Sequence, residues 1–232
     1  MNATTQRITR FGLLTALALV LGLMDRAIPL TALLGGAAPG IKLGLANTVL
    51  LYAVYLMDGW SALLLMFVKV VLSGLIYGSL TAILYSLAGG ILSLAVMLAV
   101  RRRAREASLA AFVLAAACDA YLLYRNPHPK GQMLLAVILI AAGAAACLAA
   151  WILNRMGKIR DIPGTSVAGA IAHNAGQVLV AAVLLRTPAL LTVYLPVLAG
   201  VGAVVGSLTG IIAERVFRAL RLNTHETEKN RE

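Results

Sequence analysis

The chain has 232 residues, 61% of them hydrophobic and only 12% charged, with a mean hydropathy of +0.90. That composition excludes a soluble globular domain, and uniform apolarity without alternation excludes a membrane β-barrel. The net charge is +11, but the basic residues cluster between apolar runs, so they read as orientation signals and nucleic acid is not an expected partner.

Residues 1–10 form a polar tail carrying Arg7 and Arg10. The apolar stretch behind it is long and other spans follow, which predicts a retained first helix rather than a cleaved signal. Eight spans are predicted: Phe11–Leu30, Ile41–Met57, Trp60–Leu80, Thr81–Val100, Ala107–Tyr124, Gln132–Leu153, Pro163–Leu185 and Ala189–Ala213. Each approaches the roughly 17–25 apolar residues that cross a hydrocarbon core of about 30 Å. Their separators are a Gly/Pro loop at 35–40, a turn at Asp58-Gly59, a short turn at Gly78-Ser79 that predicts antiparallel neighbours, and the Arg101–Arg105 cluster. After these come Arg125–Lys130, with the helix breakers Pro127 and Pro129, the basic loop Asn154–Asp161, and Arg186-Thr187-Pro188. Residues 217–232 form a charged cytoplasmic tail.

The expected fold class is therefore an all-α polytopic membrane helical bundle. An even number of spans with both termini inside leaves Arg26, Lys42, Arg125, Lys130 and Arg186 outside and Lys69 within a span. Every other Arg and Lys then falls inside, a bias that supports an N-in, C-in topology in a bacterial cytoplasmic membrane. Cys118 and Cys147 lie in apolar runs and read as small buried hydrophobes. No metal motif and no cofactor is expected.

Three groups could carry chemistry. The segment Ser166–Gln177, S-V-A-G-A-I-A-H-N-A-G-Q, puts His173, Asn174 and Gln177 in the middle of an apolar helix. Polar groups there are costly unless they face protein, water or ligand. His173 and Gln177 are four apart and share a face, while Gly169, Ala172 and Gly176 allow close helix approach. The group is either a ligand contact or interhelical glue. A proton relay would need a nearby carboxylate, for which Asp119 is the one candidate.

Lys69 lies near the middle of the third span, with Ser73 and Tyr77 following at four-residue steps on one stripe. A charged Lys at that depth costs about 2.5–3.5 kcal/mol on insertion scales. An anionic ligand would supply the missing partner; the alternative is a Lys that snorkels or bonds to hydroxyls and carbonyls. The third group is Pro39–Asn47, P-G-I-K-L-G-L-A-N, where Lys42 and Asn47 either face an outward-opening pocket or, for Lys42, anchor at the interface. Tyr52, Tyr55, Tyr85 and Tyr194 read as packing residues. Gly89-Gly90 and the four-residue repeat Gly202, Gly206 and Gly210 mark close helix contacts.

Absences narrow the function. No G-x-x-x-x-G-K-[ST] loop is present, the nine acidic residues form no Asp-rich diphosphate motif, and no nucleophile–base pair is legible. The chain is not expected to be an enzyme by itself.

P-G-I-K-L-G-L-A-N at 39–47, Y-S-L-A-G-G at 85–90 and V-A-G-A-I-A-H-N-A-G-Q at 167–177 resemble the bacterial Gx transporter family, also known as heptaprenyl diphosphate synthase component I. The resemblance covers roughly 11–100 and 163–216. It implies an architecture like the substrate-binding S components of energy-coupling factor transporters, six helices with a ligand pocket beneath the first loop. The core would comprise 11–103 and 161–216, with 104–160 an inserted transmembrane hairpin, giving eight spans in all. It also implies docking to an energy-coupling ATPase module through small residues of the first helix, here Ala16 and Ala18, although their spacing departs from Ala-x-x-x-Ala.

Two functions stay open on these residues. One is a transport protein binding a small anionic or amphipathic molecule, with Lys42 and Lys69 balancing charge and His173, Asn174 and Gln177 orienting it. The other is a non-catalytic membrane subunit that holds membrane lipid or tethers a soluble prenyl diphosphate synthase subunit. A structural assembly protein is a blander third.

Overall fold

The computed structural model of the protein describes residues 3–27, 45–77, 80–101, 104–125, 127–129, 132–156 and 162–229. Among these there is no strand. Eight helices follow in order: α1 (Ala3–Ala27), α2 (Asn47–Leu56), α3 (Gly59–Tyr77), α4 (Leu80–Val100), α5 (Ala104–Arg125), α6 (Gln132–Arg155), α7 (Ile162–Leu184) and α8 (Ala189–Lys229). Helices are the economical answer for runs of Leu, Ala, Val and Ile in lipid, because each satisfies its own backbone groups.

Six of the helices are long and apolar enough to cross a membrane: α1, α3, α4, α5, α7 and α8. Two apolar stretches are shorter, α2 and Ile140–Leu153 of α6. At 1.5 Å per residue α2 reaches only about 15 Å, half the hydrocarbon thickness. Within the predicted span Ile41–Met57, residues 45 and 46 form a turn and the helix runs from Asn47; residues 41–44 lie outside the described part of the chain. The outside of the bundle is apolar: Trp60, Leu75 and Leu80 are 80%, 73% and 73% exposed. In water such a surface would drive association, and in lipid it costs nothing.

α7 and α8 form the centre, each more than half buried along its apolar length, while α1, α3, α4 and α5 are a third buried or less. α7 packs most extensively on α8 and then on α4. Leu14, Val54, Leu65, Met97, Ile162 and Ala213 share one cluster uniting α1–α4 with the start of α7 and the middle of α8. The α5–α6 pair packs on α7 and α8 through two layers, Ala111, Cys147, Val167 and Ala203 in one, and Ala115, Leu122, Ile140, Ala144 and Val197 in the other.

Glycines set the spacing. A Cβ on Gly206 would stand 2.7 Å from Val167 Cα, and one on Gly210 2.6 Å from Pro163 Cα. The four-residue repeat is therefore the contact surface between α8 and α7, as the small-residue spacing predicts. At the turn between them Arg186 has φ 51°, and Thr187 N–H donates to Ala182 O (3.0 Å) while Arg186 N–H donates to Val183 O (3.3 Å). That is a Schellman ending, with Pro188 stopping the helix.

Candidate functional site

The site is built on α7 because α4 lets it come close. Gly89 has no side chain, and a Cβ there would stand 2.8 Å from His173 Nδ1 and 2.8 Å from His173 O. Gly176 lies against α4 in the same way, its would-be Cβ 2.7 Å from Ala88 O. The two glycines let the helix backbones nearly touch, and the imidazole fills the space.

His173, Asn174 and Gln177 are 5%, 1% and 1% exposed. Gln177 Nε2 lies 2.8 Å from His173 Nε2. An amide NH₂ only donates, so in this orientation of the amide His173 Nε2 accepts, and the neutral ring carries its proton on Nδ1. Asn174 points the other way, toward α8, where its Nδ2 donates to Leu198 O at 2.6 Å. It reaches that helical carbonyl because Gly202 is bare; a Cβ there would stand 3.0 Å from Asn174 Nδ2. Asn174 Oδ1 is buried and accepts no hydrogen bond among the described residues.

A second polar group lies one layer toward the start of α7. Ser93 of α4, fully buried, is 3.0 Å from Asn47 Oδ1 of α2 and 2.8 Å from Gly169 O of α7. One hydroxyl carries one proton, so it cannot donate fully to both oxygens. Turning the Asn47 amide satisfies the set: Asn47 Nδ2 donates to Ser93 Oγ, and Ser93 donates to Gly169 O.

Asn47 is the first residue of α2, and the start of that helix is held by α1. Leu45 N–H and Ala46 N–H donate to the two carboxylate oxygens of Asp25, at 3.0 and 3.2 Å. Asp25 is 3% exposed. Helix starts leave backbone N–H groups unpaired, and a half-length helix beginning inside a bundle needs a partner for them. Asp25 supplies it from a distance of twenty residues in sequence.

Around the start of α7 and the middle of α8 the helices are tied together. Tyr55 and Thr165 hydroxyls are 2.9 Å apart, Ser166 and Thr209 hydroxyls 3.1 Å, and Arg101 Nη1 donates to Val54 O at 3.2 Å. The ring of Phe217 packs against Tyr52 and Tyr55 at 5.1 and 5.9 Å.

The predicted residues therefore divide. His173, Asn174 and Gln177 are together on α7, and Asn47 joins their helix through Ser93 and Gly169. Lys69 and Ser73 are half-buried on α3, which packs on α1, α2 and α4 and has no extensive contact with α7. The link between the two groups is α4, where Gly90 faces Met66 of α3 and Gly89 faces His173. Tyr77 ends α3, its side chain outside the described part, and Lys42 lies outside the described residues altogether. Asp119 sits on α5 and His173 faces α4, so the relay between them is not formed.

Of the two docking candidates on α1, Ala18 is fully buried in the core and Ala16 is exposed. Two residues apart on a helix are about 200° apart. The exposed small residues at four-residue spacing are Gly12 and Ala16.

Asp25 and Ser93 were missed by sequence reasoning. Asp25 carried a signal, as a carboxylate near the end of an apolar span; Ser93 carried none. Among the described residues no three His, Cys, Asp or Glu side chains group as a metal site would require.

A family model for heptaprenyl diphosphate synthase component I matches residues 14–123 and 127–216, and the chain belongs to that family. The matched segments include most of the α5–α6 pair. No curated protein and no solved structure matches.

Proposed function

We propose that this member of the heptaprenyl diphosphate synthase component I family is a membrane transport protein of the S-component type, binding a small anionic or amphipathic molecule in an outward-opening pocket. The observation that supports it most is the buried polar group His173, Asn174 and Gln177, with a further polar pair, Asn47 and Ser93, in the next layer. Intramembrane polar side chains are expensive and mark substrate pathways. The half-length helix α2 adds support, since discontinuous helices frame the midplane sites of transporters. The ties between Tyr55, Thr165, Arg101 and Phe217 suit an inner end closed while the outer side receives ligand.

In this reading all eight helices lie in a bacterial cytoplasmic membrane with both termini inside, α5 and α6 form a hairpin added to a six-helix core, and the chain is non-catalytic. Lys69 and Ser73 line the side of the pocket across α4 from His173, Tyr77 and Lys42 lie toward its mouth, and Lys69 and Lys42 balance ligand charge. An energy-coupling ATPase module would dock on the exposed Gly12–Ala16 face of α1.

The family description favours a second reading, a non-catalytic subunit that accompanies a soluble prenyl diphosphate synthase chain. Gentle purification from the native membrane, with every co-purifying protein identified by mass spectrometry, separates the two. An ATPase pair with a membrane coupling subunit supports the first; a prenyl synthase chain replaces it with the second.

A further inference from the structure

One ionisable group in the bundle is used by none of the foregoing. Asp119 lies on α5, four residues after Ala115 and three before Leu122. Ala115 and Leu122 are buried, at 2% and 3% exposure, so Asp119 shares the face that α5 turns toward its neighbours. That face meets Ile140 and Ala144 of α6 and Val197 of α8. Asp119 is half-buried, and its Oδ1 is buried and has no hydrogen-bond partner among the described residues.

The elements around it bring little charge. From Met133 to Ala150, α6 is apolar in sequence except for Cys147, which is directed at Ser207 (3.9 Å) in the neighbouring layer. α7 offers His173, which is turned to α4. α8 offers Tyr194, packed in the cluster around Tyr85, and Glu214, paired with Arg218 toward the inner end. On α5 itself Cys118 is adjacent, and Tyr121, Tyr124 and Arg125 are exposed. A carboxylate against this apolar layer meets no cation among these groups to replace its hydration, whereas a carboxylic acid loses much less on leaving water.

We propose that Asp119 is a proton-binding site within the α5–α6 hairpin, its carboxyl held as the acid against the apolar layer of Ile140, Ala144 and Val197. The ligand is H⁺ itself, taken up or given back when this layer opens to water. This goes beyond the pocket on α7 and does not depend on it.

The test uses a reaction that needs both the proton and the apolar surroundings. Dicyclohexylcarbodiimide partitions into the bilayer and reacts with carboxylic acids there. The carboxyl oxygen bonds to the central carbodiimide carbon, the acid proton moves to nitrogen, and the O-acylisourea rearranges to a stable N-acylurea that keeps every atom of both reactants. The full chain in liposomes at pH 7.5 is treated with this reagent or with a water-soluble carbodiimide plus a soluble amine, and the peptides are read by mass spectrometry. The expected result is an acylurea on Asp119, about tenfold or more above labelling by the water-soluble pair, and absent in Asp119→Asn. No adduct on Asp119 in the folded wild-type protein, or equal labelling by the water-soluble reagent, overturns the proposal.

Discussion

Gln177 stands one turn beyond His173 on α7, and its amide nitrogen lies 2.8 Å from the imidazole Nε2. With the amide in this orientation the ring accepts on that side and is a neutral imidazole rather than a cation. The ring occupies the space left by Gly89, so its place depends on the closeness of α4 and α7.

That dependence gives a packing prediction. Gly176→Ala puts a methyl group 2.7 Å from Ala88 O and 2.9 Å from Gly89 Cα, both backbone atoms that cannot turn aside. The helices must separate, and stability should fall by about 1–3 kcal/mol. Gly12→Ala, with nothing within 4 Å of its Cβ, is the matched control. Thermal melts in detergent compare them, and a Gly176→Ala protein as stable as the control refutes the close approach.

Much of this was legible from residues. The four-residue spacing of His173 and Gln177, the glycine repeat at 202, 206 and 210, and the turn at Arg186-Thr187-Pro188 are local patterns, and helix geometry turns them into contacts. What was not legible depends on the tertiary arrangement. An apolar run at 41–57 looks like a whole span, and nothing local says that its helix begins at Asn47. Asp25 and Leu45 meet only because α1 and α2 are neighbours, and a serine in an apolar helix looks alike whether it bridges two helices or bonds its own backbone.

Asp25 makes a second prediction. Asp25→Ala removes the acceptor for Leu45 N–H and Ala46 N–H and should cost about 1–2 kcal/mol, the range of a lost helix cap. Asp25→Asn keeps one side-chain oxygen and should cost less. Hydrogen exchange at Leu45, Ala46 and the first turn of α2 reads the effect locally, and unchanged protection in Asp25→Ala would contradict the capping role.

Asp58 makes a third, at the turn before α3. The Ser61 hydroxyl (2.8 Å) and the Ser61 amide (3.1 Å) both donate to its carboxylate and hold its pKa below the ordinary aspartate value. A carboxyl more acidic in the folded chain stabilises above its unfolded pKa, and that contribution is lost as pH falls through the lower folded value. Exchange of the first-turn amides of α3 should therefore quicken below about pH 4. In Asp58→Asn, whose amide oxygen caps without titrating, this acid limb should vanish; if it persists, another group is responsible.

The claim that α7 and its neighbours hold a small molecule is tested most directly by native mass spectrometry. The protein is released from nanodiscs of its own membrane, wild type beside Lys69→Met and His173→Gln. The account predicts a discrete non-covalent mass on the wild-type chain that both variants lack while keeping the wild-type melting profile. A bare wild-type chain, or an adduct carried undiminished by both variants, contradicts it.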